Sequence, residues 1–343
     1  MPELRWNPLL GTWTMVAPNR QDRPMDGPLG RPDSGLLGDA RPRQPECPFC
    51  PGSGKVPDDY TVLSYDNDYP ALTQDCAGGP VRTSGPYETV PAYGKCEVIL
   101  YSADHDAPIW SLPDDHLRRL VDLWAERSRS LSHDPLVKYV FVFENRGSEV
   151  GVTLHHPHGQ LYAYPFVPLK VKTELDNCRR YLRERGSCLL CDMNSEEKRD
   201  GSRIIAEDDA FLCYLPHFTD YPFGAFIVTK RHVARLQDLS PTERSSLASM
   251  LKGLVGAFDR LFAKPFPYMM CVHQSPVNEP EYQDTEDYYH LHIEFYPPLR
   301  AKDRIKYYAS SEMGAWAACN PLLVEETAPL LKRAFAAARR GED

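Results

Sequence analysis

The run His155-His156-Pro157-His158-Gly159-Gln160 concentrates chemistry in one short stretch. A neutral imidazole is a good nucleophile toward phosphorus, and a reference pKa of about 6.5 leaves it mostly unprotonated at pH 7. Its other ring nitrogen must be held by an acceptor, such as a nearby backbone carbonyl, to fix the tautomer. His156 and His158 are two apart and would face the same side of an extended strand. Gly159 would let the backbone approach a phosphoryl group. Gln160 can donate its amide to a phosphoryl oxygen where negative charge develops. These roles make His158 and Gln160 the expected catalytic pair. A second metal site is the competing reading, kept open by His155, but a glycine and an amide serve an anion better than a metal.

Metal ligands come in two sets. Cys47 and Cys50 are spaced Cys-x-x-Cys, as are Cys188 and Cys191. In a reducing compartment such pairs read as metal or redox sites. Histidines follow each pair in the same order, His105 and His156 in the first half, His232 and His290 in the second. Four Cys and His ligands are the set that structural zinc prefers, and they leave no open position for substrate. Buried free cysteines and core histidines are the bland alternative, weaker because the order recurs. A further cluster, Glu174, His273, His292 and Glu294, could hold iron or zinc, or be polar residues at a subunit edge.

The elements that must position these residues also recur. Apolar runs Glu97–Tyr101 and Phe226–Thr229 read as strands, each leading to a histidine. Ser111-x-x-Asp114 and Ser240-x-x-Glu243, with Pro113 and Pro241 beside them, look like capping boxes opening helices. Leu117, Leu120, Val121 and Trp124 have helical spacing, as do Leu247, Leu251, Leu254, Val255 and Phe258. Further strands are expected over Lys138–Glu144 and Pro267–His273, and each half closes on a His-x-His strand. The predicted fold is α+β: two halves, 1–170 and 171–343, of mostly antiparallel sheet with helices packed to one side. Glu174–Arg185 would be a helix joining them. Residues 21–46, rich in Gly, Pro, Arg and Asp, read as a long surface segment.

Composition narrows the function. The 343 residues are 42% hydrophobic and 25% charged, enough to bury a core over about two domains. A net charge of −9 argues against a general nucleic-acid binder. An anionic substrate must then be met by a few placed Arg and Lys side chains. No apolar run approaches the ~18–20 residues of a membrane span, and the N-terminus lacks a signal-like apolar region. The expected location is cytoplasmic.

His156-Pro-His158-Gly-Gln160, with Phe143-Glu-Asn145-Arg-Gly147 before it and Phe295-Tyr-Pro-Pro-Leu299 after it, resembles the galactose-1-phosphate uridylyltransferase family of the histidine-triad superfamily. The resemblance runs from Asn7-Pro-Leu-Leu-Gly-Thr-Trp13 to about Glu312. It implies two histidine-triad-like halves. It implies exchange of UDP-glucose and galactose 1-phosphate for glucose 1-phosphate and UDP-galactose, through a covalent uridylyl group on His158. By position, Arg20 and Arg23 match arginines that meet phosphates. Tyr65 and Asn67 match the uridine pocket, and Asn145, Gly151 and Thr153 the segment contacting nucleotide and phosphate. Lys306, Tyr307 and Glu312 match the sugar-phosphate end, which the family completes across a homodimer interface. Cys47, Cys50, His105 and His156 match its zinc ligands, and Glu174, His273 and His292 its iron ligands. Three departures stand out. Glu294 replaces the last iron histidine, which weighs against iron. Ser311 and Ala318 replace a Tyr and a Gln near the sugar, with Asn320 as a candidate substitute. The complete second set, Cys188, Cys191, His232 and His290, resembles two-zinc adenylyl-transferring relatives such as ADP-glucose phosphorylase, the alternative activity.

Overall fold

A computed structural model describes residues 2–17, 19 and 47–341. Arg20, Arg23 and the expected surface segment lie outside the described residues. Nine strands form one antiparallel sheet. The first half supplies β3 (Leu63–Asp66), β6 (Lys95–Leu100), β7 (Tyr139–Arg146) and β8 (His158–Tyr164). The second supplies β9 (Ile204–Glu207), β10 (Phe211–Tyr214), β11 (Ala225–Thr229), β12 (Tyr268–His273) and β13 (His292–Tyr296). Their order is β3-β6-β8-β7-β12-β13-β11-β10-β9. The sequence repeat therefore becomes a mirrored strand order, and the halves meet where Phe143 of β7 faces Cys271 of β12. A smaller sheet, β2-β1-β5-β4, is made from β1 (Glu3–Asn7), β2 (Thr12–Val16), β4 (Arg82–Ser84) and β5 (Tyr87–Pro91). This is the α+β architecture expected.

Strand alternation divides the large sheet into two faces. Val140, Val142, Leu161, Ile227, Ile293 and Phe295 point into one core, covered by α1 (Asp114–Ser132), α4 (Pro241–Leu261) and α6 (Val324–Arg340). On α1 the predicted stripe Leu117, Leu120, Val121 and Trp124 is buried in that core, each large side chain contributing about 1.5–3 kcal/mol. Tyr139, Tyr162, Tyr214, Phe226 and Val228 point the other way, toward α2 (Leu169–Arg185) and α3 (Leu189–Asp200). Helices thus cover both faces, not one. The reason lies in the large aromatic residues at the alternate strand positions, an apolar surface that itself requires a cover.

Two local details differ from the sequence reading. Ser240 and Glu243 form a reciprocal capping box at the start of α4, but Ser111 does not cap α1. Its hydroxyl bonds the Pro108 carbonyl in a preceding turn, and Pro113 occupies the cap position without a side-chain bond. The connecting helix α2 starts at Leu169, directly after Pro168, five residues before Glu174. Among the described residues no helix is long and apolar enough to cross a membrane.

Candidate active site and metal centres

The His-Pro-His run enters β8 at its second histidine. His156 lies before the strand, and β8 begins at His158. Both rings nevertheless lie against the same side chain, Phe49, whose ring centroid is 6.1 Å from that of His156 and 5.4 Å from that of His158. His156 is fully buried, with Nε2 2.7 Å from the Ser102 carbonyl and 3.2 Å from the Tyr60 hydroxyl. Burial lowers its pKa to about 4, so the ring stays neutral and Nδ1 keeps its lone pair. That nitrogen lies 3.8 Å from Cys47 Sγ and 3.6 Å from Cys50 Sγ, while His105 Nδ1 is 3.3 Å from Cys50 Sγ. Ligands 2.0–2.3 Å from a tetrahedral zinc stand about 3.6 Å apart, so the donor set fits that ion. Burial pushes the Cys47 thiol up to about 11, so a cation has to displace its proton to bind.

The second set repeats this geometry. His290 Nδ1 is 3.9 Å from Cys188 Sγ and 3.4 Å from Cys191 Sγ, and His232 Nδ1 is 3.4 Å from Cys191 Sγ. His290 Nε2 sits 2.8 Å from the Thr229 carbonyl, as His156 Nε2 sits on that of Ser102. In both sets the outer nitrogen of one histidine is fixed by a backbone carbonyl, which orients the ring toward the ligand position.

His158 carries the geometry of a nucleophile. Its Nδ1 lies 2.7 Å from the His156 carbonyl oxygen. A carbonyl can only accept, so Nδ1 holds the proton and Nε2 keeps the lone pair. Gln160 follows on the same face of β8, paired across to Phe143. Phe49, between the two zinc-type cysteines, packs its ring 5.4 Å from His158 and 6.2 Å from Tyr65. It thereby links the catalytic strand to the expected base pocket. Sequence reasoning missed Phe49, though its place inside Cys-x-x-Cys was a usable signal. Tyr65 donates to Asp68 at 2.6 Å, and Asn67 Oδ1 accepts from the Tyr69 amide at 2.9 Å. Asn145 lies on β7 beside the catalytic strand, Gly151 is left-handed at φ 82°, and Thr153 is in the loop leading to His155.

Gly159 has a different reason from the one expected. A Cβ there would stand 2.3 Å from the Tyr101 hydroxyl and 3.1 Å from the Phe143 carbonyl. The glycine makes room for protein behind the strand rather than for a phosphoryl group in front of it.

The residues expected at the sugar-phosphate end lie in the second half. Lys306 is 8% exposed, with its ammonium over the rings of Tyr308 and Tyr221 at 4.3 and 4.9 Å and 3.8 Å from Glu312. Tyr307 is exposed, and Glu312 lies on α5 (Ser310–Gly314). Asn320, the candidate substitute for the missing glutamine, is engaged with its own chain. Its amide donates to the Thr219 and Tyr221 carbonyls, and its Oδ1 accepts from the Leu322 amide, which commits it to holding the loop. Ser311 donates to Ala317 O in the same loop.

The third cluster assembles as well, but around a cation of the chain itself. His273 Nδ1 is 2.8 Å from Glu174, and its Nε2 is 3.4 Å from Glu294. His292 Nε2 is 3.3 Å from Glu294. The Lys170 ammonium, on the first turn of α2, reaches Glu294 at 2.5 Å and Glu174 at 3.9 Å. Burial works against the charge on Glu294, but His273, His292 and Lys170 outweigh it and hold the carboxyl well below its ordinary range. Lys170 gave no sequence signal, being one of two lysines near the start of a helix. The four ligand atoms lie within 4.8 Å of one another, as a metal site requires, but the Lys170 ammonium and the carboxylate of Glu294 in place of a histidine weigh against the iron that the resemblance implies.

The chain is similar to known proteins over nearly its whole length. Residues 1–168 match the model of the galactose-1-phosphate uridyl transferase N-terminal domain, and residues 174–313 that of the C-terminal domain. A galactose-1-phosphate uridylyltransferase of Thermotoga maritima is 36% identical over 332 residues, 97% of this chain and 98% of the relative. A solved uridylyltransferase superposes with a TM-score of 0.82 at 30% identity, covering 97% of this chain and 98% of that one. An ADP-glucose phosphorylase from Arabidopsis thaliana shares the fold, with a TM-score of 0.73 at 23% identity, over 97% and 99% of the two chains. The chain belongs to the galactose-1-phosphate uridylyltransferase family.

Proposed function

We propose that this protein is a UDP-glucose–hexose-1-phosphate uridylyltransferase that works through His158. The observation carrying the reading is the 2.7 Å contact of His158 Nδ1 with the His156 carbonyl, which leaves the lone pair on Nε2. That pair attacks the α-phosphorus of UDP-glucose. The bond to the bridging oxygen breaks, and its electrons leave on glucose 1-phosphate. A phosphate oxygen of galactose 1-phosphate then attacks the uridylyl-histidine, and the P–N bond returns its electrons to the imidazole. Gln160 donates to the oxygens that gain charge. Arg20, Arg23, Asn145, Gly151 and Thr153 serve the phosphates and nucleotide, Tyr65 and Asn67 the uridine, and Lys306, Tyr307 and Glu312 the hexose phosphate.

Both Cys, Cys, His, His sets hold zinc in this reading, two ions per chain, and stabilise the fold without taking part in the chemistry. The chain divides into halves 1–170 and 171–343, a division supported by the mirrored strand order. It works as a cytoplasmic homodimer with no nucleic-acid or membrane partner.

One experiment tests the chemistry. The protein is mixed with UDP-glucose and no acceptor, and glucose 1-phosphate release is followed together with the mass of the peptide carrying His158. Release of one equivalent with a uridylyl increment is expected. The complete second metal set favours adenylyl transfer as the second reading. An increment with ADP-glucose and none with UDP-glucose would decide for it, and none with either sinks the covalent mechanism.

A further inference from the structure

Behind the catalytic strand lies a buried polar trio that the transfer chemistry does not use. Glu144 of β7 is 4% exposed. Tyr101, just after β6, donates to one of its oxygens at 3.1 Å, and Tyr268 of β12 donates to the other at 2.9 Å. The trio thus spans both halves. Its position is specific: the Tyr101 hydroxyl stands 2.3 Å from where a Gly159 Cβ would be. Because side chains alternate, this is the face opposite His158 and Gln160.

The second half serves as an internal control. In its copy of the motif, His292-Ile293-Glu294 replaces His158-Gly159-Gln160, and Ile293 packs into the same apolar core as Leu161. A strand in this layer can therefore be held by an aliphatic side chain. Only the half with the nucleophile replaces it with glycine and a hydroxyl fastened to a buried carboxyl. Such a substitution places polar groups in an apolar core, where they must be hydrogen-bonded. It does so directly beneath Gly159, the residue between His158 and Gln160.

We propose that Tyr101, held by Glu144, is a positioning residue for phosphoryl transfer: its hydroxyl sets the height of the strand at Gly159 and so the placement of His158 and Gln160 about the phosphorus. The proposal rests on the reading of His158 as nucleophile. Tyr101 touches no reacting atom and acts through the backbone. Displacements of about 1 Å at a reacting centre can slow a reaction about a hundredfold.

The test uses the zinc-loaded full chain in single turnovers with UDP-glucose, following the burst of glucose 1-phosphate. Tyr101→Phe removes only the hydroxyl, and Glu144→Ala removes its anchor. Both are expected to slow the burst about ten- to a hundredfold while the UDP-glucose concentration for half-saturation stays within about twofold of wild type. Glu144→Gln, which keeps a carbonyl acceptor and an amide to pair with the tyrosines, should restore most of the rate. Gly159→Ala should cost more in the wild type than in the Tyr101→Phe background, where the hydroxyl is gone. A Tyr101→Phe burst as fast as wild type overturns the proposal. So does equal damage from Gly159→Ala in both backgrounds, or a Glu144→Gln variant as slow as Glu144→Ala. A wild type that gives no burst refutes the functional reading itself, a different result from a wild-type burst that Tyr101→Phe leaves unchanged.

Discussion

Replacing Lys170 by methionine is the sharpest test of the third cluster. The substitution keeps roughly the length of the side chain and its packing over the Tyr296 ring, 4.7 Å from the ammonium, and removes the charge together with its hydrogen bonds to Glu294 and the Tyr296 hydroxyl. Glu294, with a 6% exposed side chain, and Glu174, at 22%, would then face each other without their cation. Removing one partner of a fully buried pair costs about 3–5 kcal/mol, and an exposed pair about 0–1. The Lys170 side chain is 57% exposed, which places the cost near 2 kcal/mol. With an unfolding entropy of about 2.1 cal/mol/K per residue, a chain of this length has about 0.7 kcal/mol/K, so Tm should fall by about 3 °C. Calorimetry at pH 7 reads that shift, with Lys170→Arg expected to keep most of the stability. Metal analysis accompanies it: the wild type should carry two zinc ions and no iron. An unchanged Tm for Lys170→Met, or a third metal equivalent in the wild type, would refute the argument that the chain supplies its own cation here.

Three other outcomes follow from the geometry. Cys191→Ser should reduce bound zinc from two ions per chain to one, measured by elemental analysis, while His158 still becomes uridylylated in mass spectrometry. Glu243 is held down to about 2 by its hydrogen bond from Arg231, with burial opposing and Ser240 assisting. A depressed carboxyl contributes stability above its unfolded value and loses it as pH falls. Glu243→Gln should therefore cost about 1–2 kcal/mol at pH 7, after discounting for the exposed Arg231, with the difference from wild type vanishing in urea titrations as pH drops from about 4.5 toward 2. Glu144 behaves oppositely: burial raises its carboxyl to about 7, so the folded state holds a proton that the unfolded state has released and stability falls as pH rises between about 4.5 and 7. Glu144→Gln should flatten that slope, and a slope equal to wild type would show that the group titrates normally.

Much of the site was legible because its signals are local or repeated. Cys-x-x-Cys and His-x-His are short spacings, and their recurrence in the same order allowed the ligands to be paired across about a hundred positions. The tautomer requirement on His158 followed from imidazole chemistry, and the His156 carbonyl meets it. The capping box at Ser240 formed because its serine directly precedes the helix. The one at Ser111 did not, because Leu112 and Pro113 intervene and the serine closes an earlier turn. Helices on both faces escaped the periodicity argument, which sees whether a strand has an apolar side but not whether its other side is also covered.

The sequence alone pointed to His158 as the proposed nucleophile and Gln160 as its partner, and to both Cys and His sets and the α+β class, since each depends on residue type at short spacing or on a pattern that occurs twice. The tertiary structure decided what no spacing encodes. It brought Lys170 onto Glu294, 124 positions away, so that an ion pair stands where the resemblance implied iron. It committed Asn320 to the Thr219 and Tyr221 carbonyls, about a hundred positions earlier. It also placed the Tyr101 hydroxyl behind Gly159, turning a glycine read as making room for substrate into one that makes room for the protein's own core. In each case the deciding contact joins residues distant in the chain, which only the tertiary fold brings together.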